Sequence, residues 1–205
     1  MAVDDAGTLP LGGTKIEFGW ARDDEARGLE GALGHSPLEG LELELNYARA
    51  HDHAFDSRAT ARGVGFAAKW VPLQSDVGLS LGLKYAYGHE MFDAKHLPRE
   101  RAFGNGLRGL ASWRWESGQV VHLNLGREWA RAQGDTAAVN TWGIGGEQPL
   151  LANLKLTLEA FGDSDSRPDR ALGLRYEVFS GFKVSGALGR GNDHGFANTG
   201  VAWEF

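Results

Sequence analysis

The residues able to do chemistry are few and fall mostly between the regular runs of the chain. The stretch HDHAFD gathers His51, Asp52, His53 and Asp56. Two histidines at i and i+2 can share a metal ion. Solvated loops are also often rich in His and Asp, so no metal and no cofactor is expected here. His89–Glu90 and Asp193–His194 are weaker pairs of the same kind. Ser112 and His122 fall on neighbouring runs with the same facing, and nucleophilic catalysis needs a base beside its hydroxyl and a third group orienting that base. No flanking signature of an outer-membrane phospholipase or lipid A deacylase accompanies them, so no catalytic residues and no enzyme are expected. GIGG and GRGNDHG do not follow a strand and open a helix, which a phosphate-cradling loop requires.

The elements holding these residues are strands. Helical periodicity is nearly absent, whereas alternation of apolar and polar residues recurs in about twelve runs, with ten as the alternative count. The runs are 14–23, 27–35, 40–50, 59–71, 76–90, 101–116, 119–132, 136–148, 152–163, 168–179, 181–190 and 195–205. The run at 136–148 alternates least clearly. In VGLSLGLKYAYG, Val77, Leu79, Leu81, Leu83, Tyr85 and Tyr87 share one face, and Gly78, Ser80, Gly82, Lys84, Ala86 and Gly88 the other. Successive strand side chains point to opposite faces. The 205 residues fit one domain. Mean hydropathy is only -0.33, yet a membrane barrel hides its lipid face in every second residue. The net charge of -6 argues against a nucleic-acid partner, and the absence of Cys excludes disulfides and thiolate metal sites. The opening MAVDD lacks the basic and apolar regions of a signal peptide, so an exported protein would here be in its mature form with Met1 added.

Connections alternate between short ones (HSPLEG, VPLQSD, ESGQ, QPLLAN, FSGF) and generally longer, more charged ones (ARDDEARG, RAHDHAFDSRA, GHEMFDAKHLPRERAFGN, ARAQGDTAA, GDSDSRPDRA, GRGNDHG). Short periplasmic turns and longer outside loops are the rhythm of an outer-membrane barrel. Alternation alone fits a soluble sandwich or lipocalin-like barrel equally well, but aromatic placement favours the membrane. Trp70, Trp113, Trp115, Phe182, Trp203 and Phe205 fall beside the short turns or the C-terminus. Trp20, Tyr47, Tyr85, Tyr87 and Trp129 are assigned to the opposite ends. Two aromatic bands around an aliphatic belt match rings at headgroup level. On the same face, beyond the outer band, stand Arg22, Arg49, Arg62, Arg101, Arg127, Arg170 and Arg190. Guanidinium groups bind phosphate bidentately, so these arginines are expected to contact lipopolysaccharide.

The expected fold is an all-β, antiparallel, up-and-down transmembrane barrel spanning 1–205 as a single domain, with 1–13 as a periplasmic lead-in. Its lumen is lined by Lys15, Glu17, Glu42, Glu44, Lys69, Lys84, Arg108, Arg114, Glu128, Lys155, Glu159, Arg175, Glu177 and Lys183. These charges either pair and fill the lumen or line a water-filled path. Small inward residues such as Gly78, Ser80, Gly82, Ser185, Ala187 and Gly189 leave one arc open. The ending GFANTGVAWEF reads as the closing strand. Trp203 and Phe205 double as an assembly signal for the bacterial barrel-assembly machinery.

DDAGTLPLGGTKIEFGW, SPLEGLELELNY, AAKWVPLQSDVGLSLGLKYAYGHE, LKLTLEAFGD and ALGLRYEVFSGFKVSGALGRG together resemble outer-membrane transporters of the phenol meta-pathway degradation (MetA-like) family. The resemblance is spread over nearly the whole chain as strand-and-turn patterns and carries over no substrate residues. It implies a monomeric bacterial outer-membrane channel for passive uptake of small molecules, hydrophobic or aromatic ones among them. The alternative is a non-conducting structural barrel that binds lipopolysaccharide, its lumen closed by ion pairs. A second resemblance, to small acidic-sugar porins, implies a cationic lumen, which the mixed charges fit less well.

Overall fold

Strands with one apolar and one polar face leave a row of unpaired backbone groups at each sheet edge, and only closure removes both edges. The computed structural model describes residues 2–52, 59–95, 98–191 and 194–205 and shows that closure. In chain order the strands are β1 (Thr14–Arg22), β2 (Ala26–Leu38), β3 (Leu41–Asp52), β4 (Ala59–Leu73), β5 (Gly78–Asp93), β6 (Glu100–Arg114), β7 (Val120–Ala132), β8 (Asp135–Leu151), β9 (Leu154–Asp163), β10 (Asp169–Phe179), β11 (Phe182–Gly191) and β12 (His194–Glu204). Each pairs antiparallel with its sequence neighbours, and β1 pairs with β12. The fold is therefore the all-β, up-and-down barrel that the alternation requires. No element among the described residues is a helix.

The seam runs in register from Lys15↔Glu204 to Arg22↔Ala197. Below it, the Thr14 amide donates to the Phe205 carbonyl at 2.8 Å, and the Phe205 amide returns the bond to Thr14 at 2.9 Å. The last residue of the chain thus completes the wall, and both ends of the strand set lie at the rim of short turns, called the turn end here. The other rim is the loop end.

β8 is the longest strand, with 17 residues, although its run alternates least clearly. Val139 faces inward and Asn140 outward, which blurs the hydrophobic phase. Register with β7 from Val120↔Glu147 to Ala132↔Asp135 settles it. ARAQGDTAA, expected as one of the longer connections, is a tight turn. Gln133 (φ 54°) and Gly134 (φ 95°) take left-handed backbone there, and the strands run on to either side.

Outward side chains are apolar and uncovered: Leu45 is 59% exposed, Leu125 60% and Leu188 71%. Inward positions carry the buried polar groups Glu42, Lys69, Ser80, Ser112, His122, Asn124, Glu147, Thr157 and Glu159. An apolar wall around a polar interior inverts the soluble pattern. It is the arrangement of a barrel whose outer solvent is hydrocarbon.

Candidate functional site

The site is the lumen together with the segment that enters it. Residues 2–13 add no strand; they fold back from the seam into the barrel. Val3, Ala6 and Leu9 are buried at three-residue intervals. The wall meets the backbone amides between them with side-chain acceptors. Val3 donates to Glu159 Oε1 (2.8 Å), Asp4 to Asn124 Oδ1 (2.8 Å), Ala6 to Ser112 Oγ (2.8 Å), Thr8 to Gln74 Oε1 (2.9 Å) and Leu9 to Glu42 Oε2 (3.1 Å). Asn124 Nδ2 donates in turn to the Asp4 carbonyl at 2.9 Å. A segment without regular structure leaves its amides unmatched, and satisfying them is a condition of burying it. Gly143 and Gly145 of β8 make room, since a Cβ at either would lie 3.0 and 3.2 Å from Val3 atoms.

Charge fixes the segment further. The Asp4 carboxylate accepts from Lys84 Nζ at 2.7 Å and from Arg108 Nη1 at 2.8 Å. Asp5 pairs with Lys69 at 3.1 Å. Burial works against the charge on Asp4, but Lys84 and then Arg108 outweigh it and hold the carboxyl below its ordinary value. Around this segment the wall charges are shared. Lys15 meets Glu44 at 3.0 Å, Glu42 at 3.1 Å and Glu17 at 3.6 Å. Lys84 reaches Glu44 at 3.7 Å, and Arg108 reaches Glu128 at 3.0 Å. Across the lumen Glu147 accepts from Lys155 (2.8 Å) and Arg175 (2.9 Å). Lys183 pairs with Glu204 at 2.7 Å, Arg114 donates to the Ser75 carbonyl, and Glu177 accepts the Gly181 amide.

Beside and above the segment lies a cavity of about 1130 Å³ that reaches from Lys15, Lys183 and Glu204 near the turn end to Ala50, Glu90 and Ala130 towards the loop end. Ala2, Val3, Asp4 and Asp5 project into it. Small residues such as Ala48, Gly63, Gly88 and Gly104 give it width, and Glu30 and Glu90 give it charge. Phe161 and Phe196 also point inward, their ring centroids 6.3 Å apart. Neither ring was assigned to the lumen from sequence, although the alternation of their strands places both there.

Ser112 Oγ lies 2.8 Å from His122 Nδ1, and His122 Nε2 lies 3.8 Å from Glu147 Oε1. This is the connectivity of a nucleophile, a base and an orienter. Ser112 nevertheless receives the Ala6 amide and is buried beneath the segment, so a substrate carbonyl has no approach to it. Among the described residues no group of three or more acidic or histidine side chains is placed to hold a metal. His53, Asp56 and Asp193 lie outside the described residues.

On the outer wall, Trp70, Trp113, Phe182 and Trp203 lie on strands beside the short turns. Trp115 packs edge-on to Trp113, and Phe205 packs on Trp203 with centroids 4.8 Å apart. Trp20 and Trp129 stand nearer the loop end, while Tyr47 lies midway along the 12-residue β3 and Tyr85 and Tyr87 midway along the 16-residue β5. Trp142 faces outward as well, opposite Leu125. Arg22, Arg49, Arg62, Arg101, Arg127, Arg170 and Arg190 are all exposed. Arg127 donates to Asn140 and covers the Trp129 ring at 6.0 Å.

Residues 1–200 match the model of a family described as "Uncharacterised conserved protein UCP029691". No curated protein matches the chain. Among solved structures, the COG4313 outer membrane channel from Pseudomonas putida F1 is similar at a TM-score of 0.70 and 11% identity, with 98% of each chain covered. The KdgM porin, solved in complex with disordered oligogalacturonate, gives 0.66 and 13%, covering 93% of this chain and 99% of its own. The translocator domain of the autotransporter NalP from Neisseria meningitidis gives 0.64 and 14%, covering 100% of this chain and 90% of its own. At such identities the shared property is the barrel fold.

Proposed function

Because the chain belongs to the family described as "Uncharacterised conserved protein UCP029691", whose model spans residues 1–200, we propose its function from the barrel itself: an outer-membrane channel for passive uptake of small molecules, closed at rest by its own N-terminal segment. The observation that carries this reading is the cavity of about 1130 Å³ that runs along the lumen and is narrowed by residues 2–5. Barrels of about eight strands fill with their own side chains, and those of sixteen or more stay open. This wall of twelve lies between those limits, and its inner surface is trimmed to Ala and Gly where a filled lumen would place bulk. The material closing it is a tethered segment rather than wall side chains, so removing one short stretch would open the path.

The membrane location is supported by the exposed aliphatic belt, the aromatic bands and the fold shared with outer-membrane barrels. The turn end is assigned to the periplasm. Aromatic or hydrophobic solutes are the cargo implied by the resemblance to the MetA-like transporters, and the inward Phe161–Phe196 pair supplies a stacking surface for such rings. The barrel works as a monomer and reaches the membrane through the barrel-assembly machinery.

Conductance across a planar bilayer, together with uptake of a small aromatic acid into proteoliposomes, tests the reading. The intact barrel is expected to conduct rarely, and a form lacking residues 2–9 persistently. If neither form conducts or admits solute, the channel reading fails. The ion-paired lumen around Lys15 and Glu147 would then favour a structural barrel.

A further inference from the structure

The outer wall holds one feature that the channel reading does not use. Arg170 of β10 and Arg190 of β11 are directly opposed in register, and both are exposed. Like charges facing each other across a strand pair destabilise it unless something neutralises them. Among the described residues neither guanidinium group makes a hydrogen bond or an ion pair. Their strands continue downward through a second opposed pair, Leu172 and Leu188.

Beneath and beside the arginines runs an apolar groove of about 740 Å³. Its floor is low where Gly146 of β8 and Ala160 of β9 stand, and Leu158, Leu172 and Leu188 form its sides. The registers place Val121, Gly146, Leu158, Leu172 and Leu188 in one row across five neighbouring strands. Strand centres are about 4.8 Å apart, so the row spans roughly 19 Å. Strands of such barrels are tilted by some 35–45°, so the row crosses the wall obliquely. It starts below the arginines near the loop end and finishes at Val121, the second residue of β7, near the turn end. A cationic clamp thus stands at the head of an apolar furrow whose length suits an extended acyl chain.

We propose that this is a seat for one phosphorylated lipid of the outer leaflet, its phosphate held by Arg170 and Arg190 and one acyl chain laid along the Gly146–Ala160 furrow. The inference rests on the barrel lying in a bilayer and is independent of whether it conducts. Charge complementarity selects the occupant: two guanidinium forks favour a phosphate monoester over a zwitterionic headgroup, and the furrow favours a lipid over free phosphate. Arg22 and Arg27 on β1 and β2, and Arg49 and Arg62 on β3 and β4, are opposed likewise, but below the latter pair stand the bulky Tyr47, Val64, Leu45 and Phe66 in place of Gly146 and Ala160. Arg49 and Arg62 serve as the internal control.

Native mass spectrometry of the full barrel in mild detergent tests the proposal, with lipid A, phosphatidylcholine and inorganic phosphate as probes. Heat-modifiable gel migration of each variant confirms separately that the barrel is folded. One lipid A per barrel is expected to be retained in preference to phosphatidylcholine. R170A/R190A should lower its affinity by at least about tenfold, and R49A/R62A by clearly less. G146L should weaken binding without touching a charge; a Cβ at Gly146 has its nearest neighbour at 3.8 Å, so the wall accepts a side chain there. Equal losses in the two arginine double variants would reduce the feature to general surface charge and overturn the seat. Equal retention of phosphatidylcholine, an unaffected G146L, or displacement of the lipid by inorganic phosphate would overturn it as well.

Discussion

Replacing Asp4 by alanine removes the carboxylate that both Lys84 and Arg108 grip, at 2.7 and 2.8 Å. The three side chains are 20%, 21% and 28% exposed, so the contact lies between a surface pair worth up to about 1 kcal/mol and a buried one whose breakage costs about 3–5 kcal/mol. Two cushions lower the cost: Lys84 keeps Glu44 at 3.7 Å and Arg108 keeps Glu128 at 3.0 Å. The segment should lose about 2–3 kcal/mol of its hold, which is a shift of roughly 30- to 150-fold towards the released state. Single-channel recording is the assay. D4A should raise the open fraction by that order, and S112A, which takes from the segment one neutral acceptor, that of the Ala6 amide, by less. Acid provides an independent handle on the same carboxylate. A group whose value is lowered in the folded state contributes fully above its ordinary value, 3.8 for Asp4, and loses that contribution as the pH falls through the lowered value. Opening should therefore increase below about pH 3.8 in the wild type, and much less in D4A. Identical open fractions for the wild type, D4A and the form lacking residues 2–9 would refute the reasoning, because the segment would then not be what closes the lumen.

Two further outcomes follow from the wall. Gly181 has φ 81°, and a Cβ there would lie 2.3 Å from the Glu204 carbonyl oxygen. Gly134 has φ 95° with nothing within 4 Å. Both substitutions by alanine incur about 1–2 kcal/mol of left-handed strain, but G181A adds a backbone collision beside the seam and should lower the urea midpoint in detergent by distinctly more than G134A; equal midpoints would contradict this. Deleting Phe205 removes the amide and carbonyl that complete the seam at Thr14. It should reduce assembly in cells far more than refolding in detergent, and equal losses would mean that the residue only packs.

The strands were legible because each carries its own evidence. Leu79, Leu81 and Leu83 declare their face without knowledge of any partner. β8 was harder, since Val139 and Asn140 reverse the expected sides and only pairing with β7 restores the phase. Strand parity puts Phe161 and Phe196 inward, but the leucines before Phe161 and the aromatic ending after Phe196 mark the outer face far more strongly. The path of residues 2–13 was not readable at all. They show neither strand nor helix alternation, and the partners of residues 3–9 lie 33 to 156 positions away. The Arg170–Arg190 opposition required register, which alternation does not supply: it tells which way a side chain points, not what it faces.

The tether of the lumen segment gives it a direction. Residue 13 is fixed beside the seam at the turn end, where the Ser36 amide donates to its carbonyl at 3.0 Å. The backbone at Gly12 is left-handed, with φ 80°, so a bend is already built in there. The segment can therefore swing out through the turn end, whereas pushed the other way it moves into the cavity and stays inside the barrel. If the barrel conducts as proposed, flow entering from the loop end should press it out of the lumen, and flow from the turn end should push it deeper in. Asp4 and Asp5 give the segment two carboxylates, so a field of one sign draws it outwards and a field of the other sign draws it inwards. On the proposed channel reading the barrel should behave as a check valve, with a current that changes with the sign of the voltage; a symmetric current would rule the valve out.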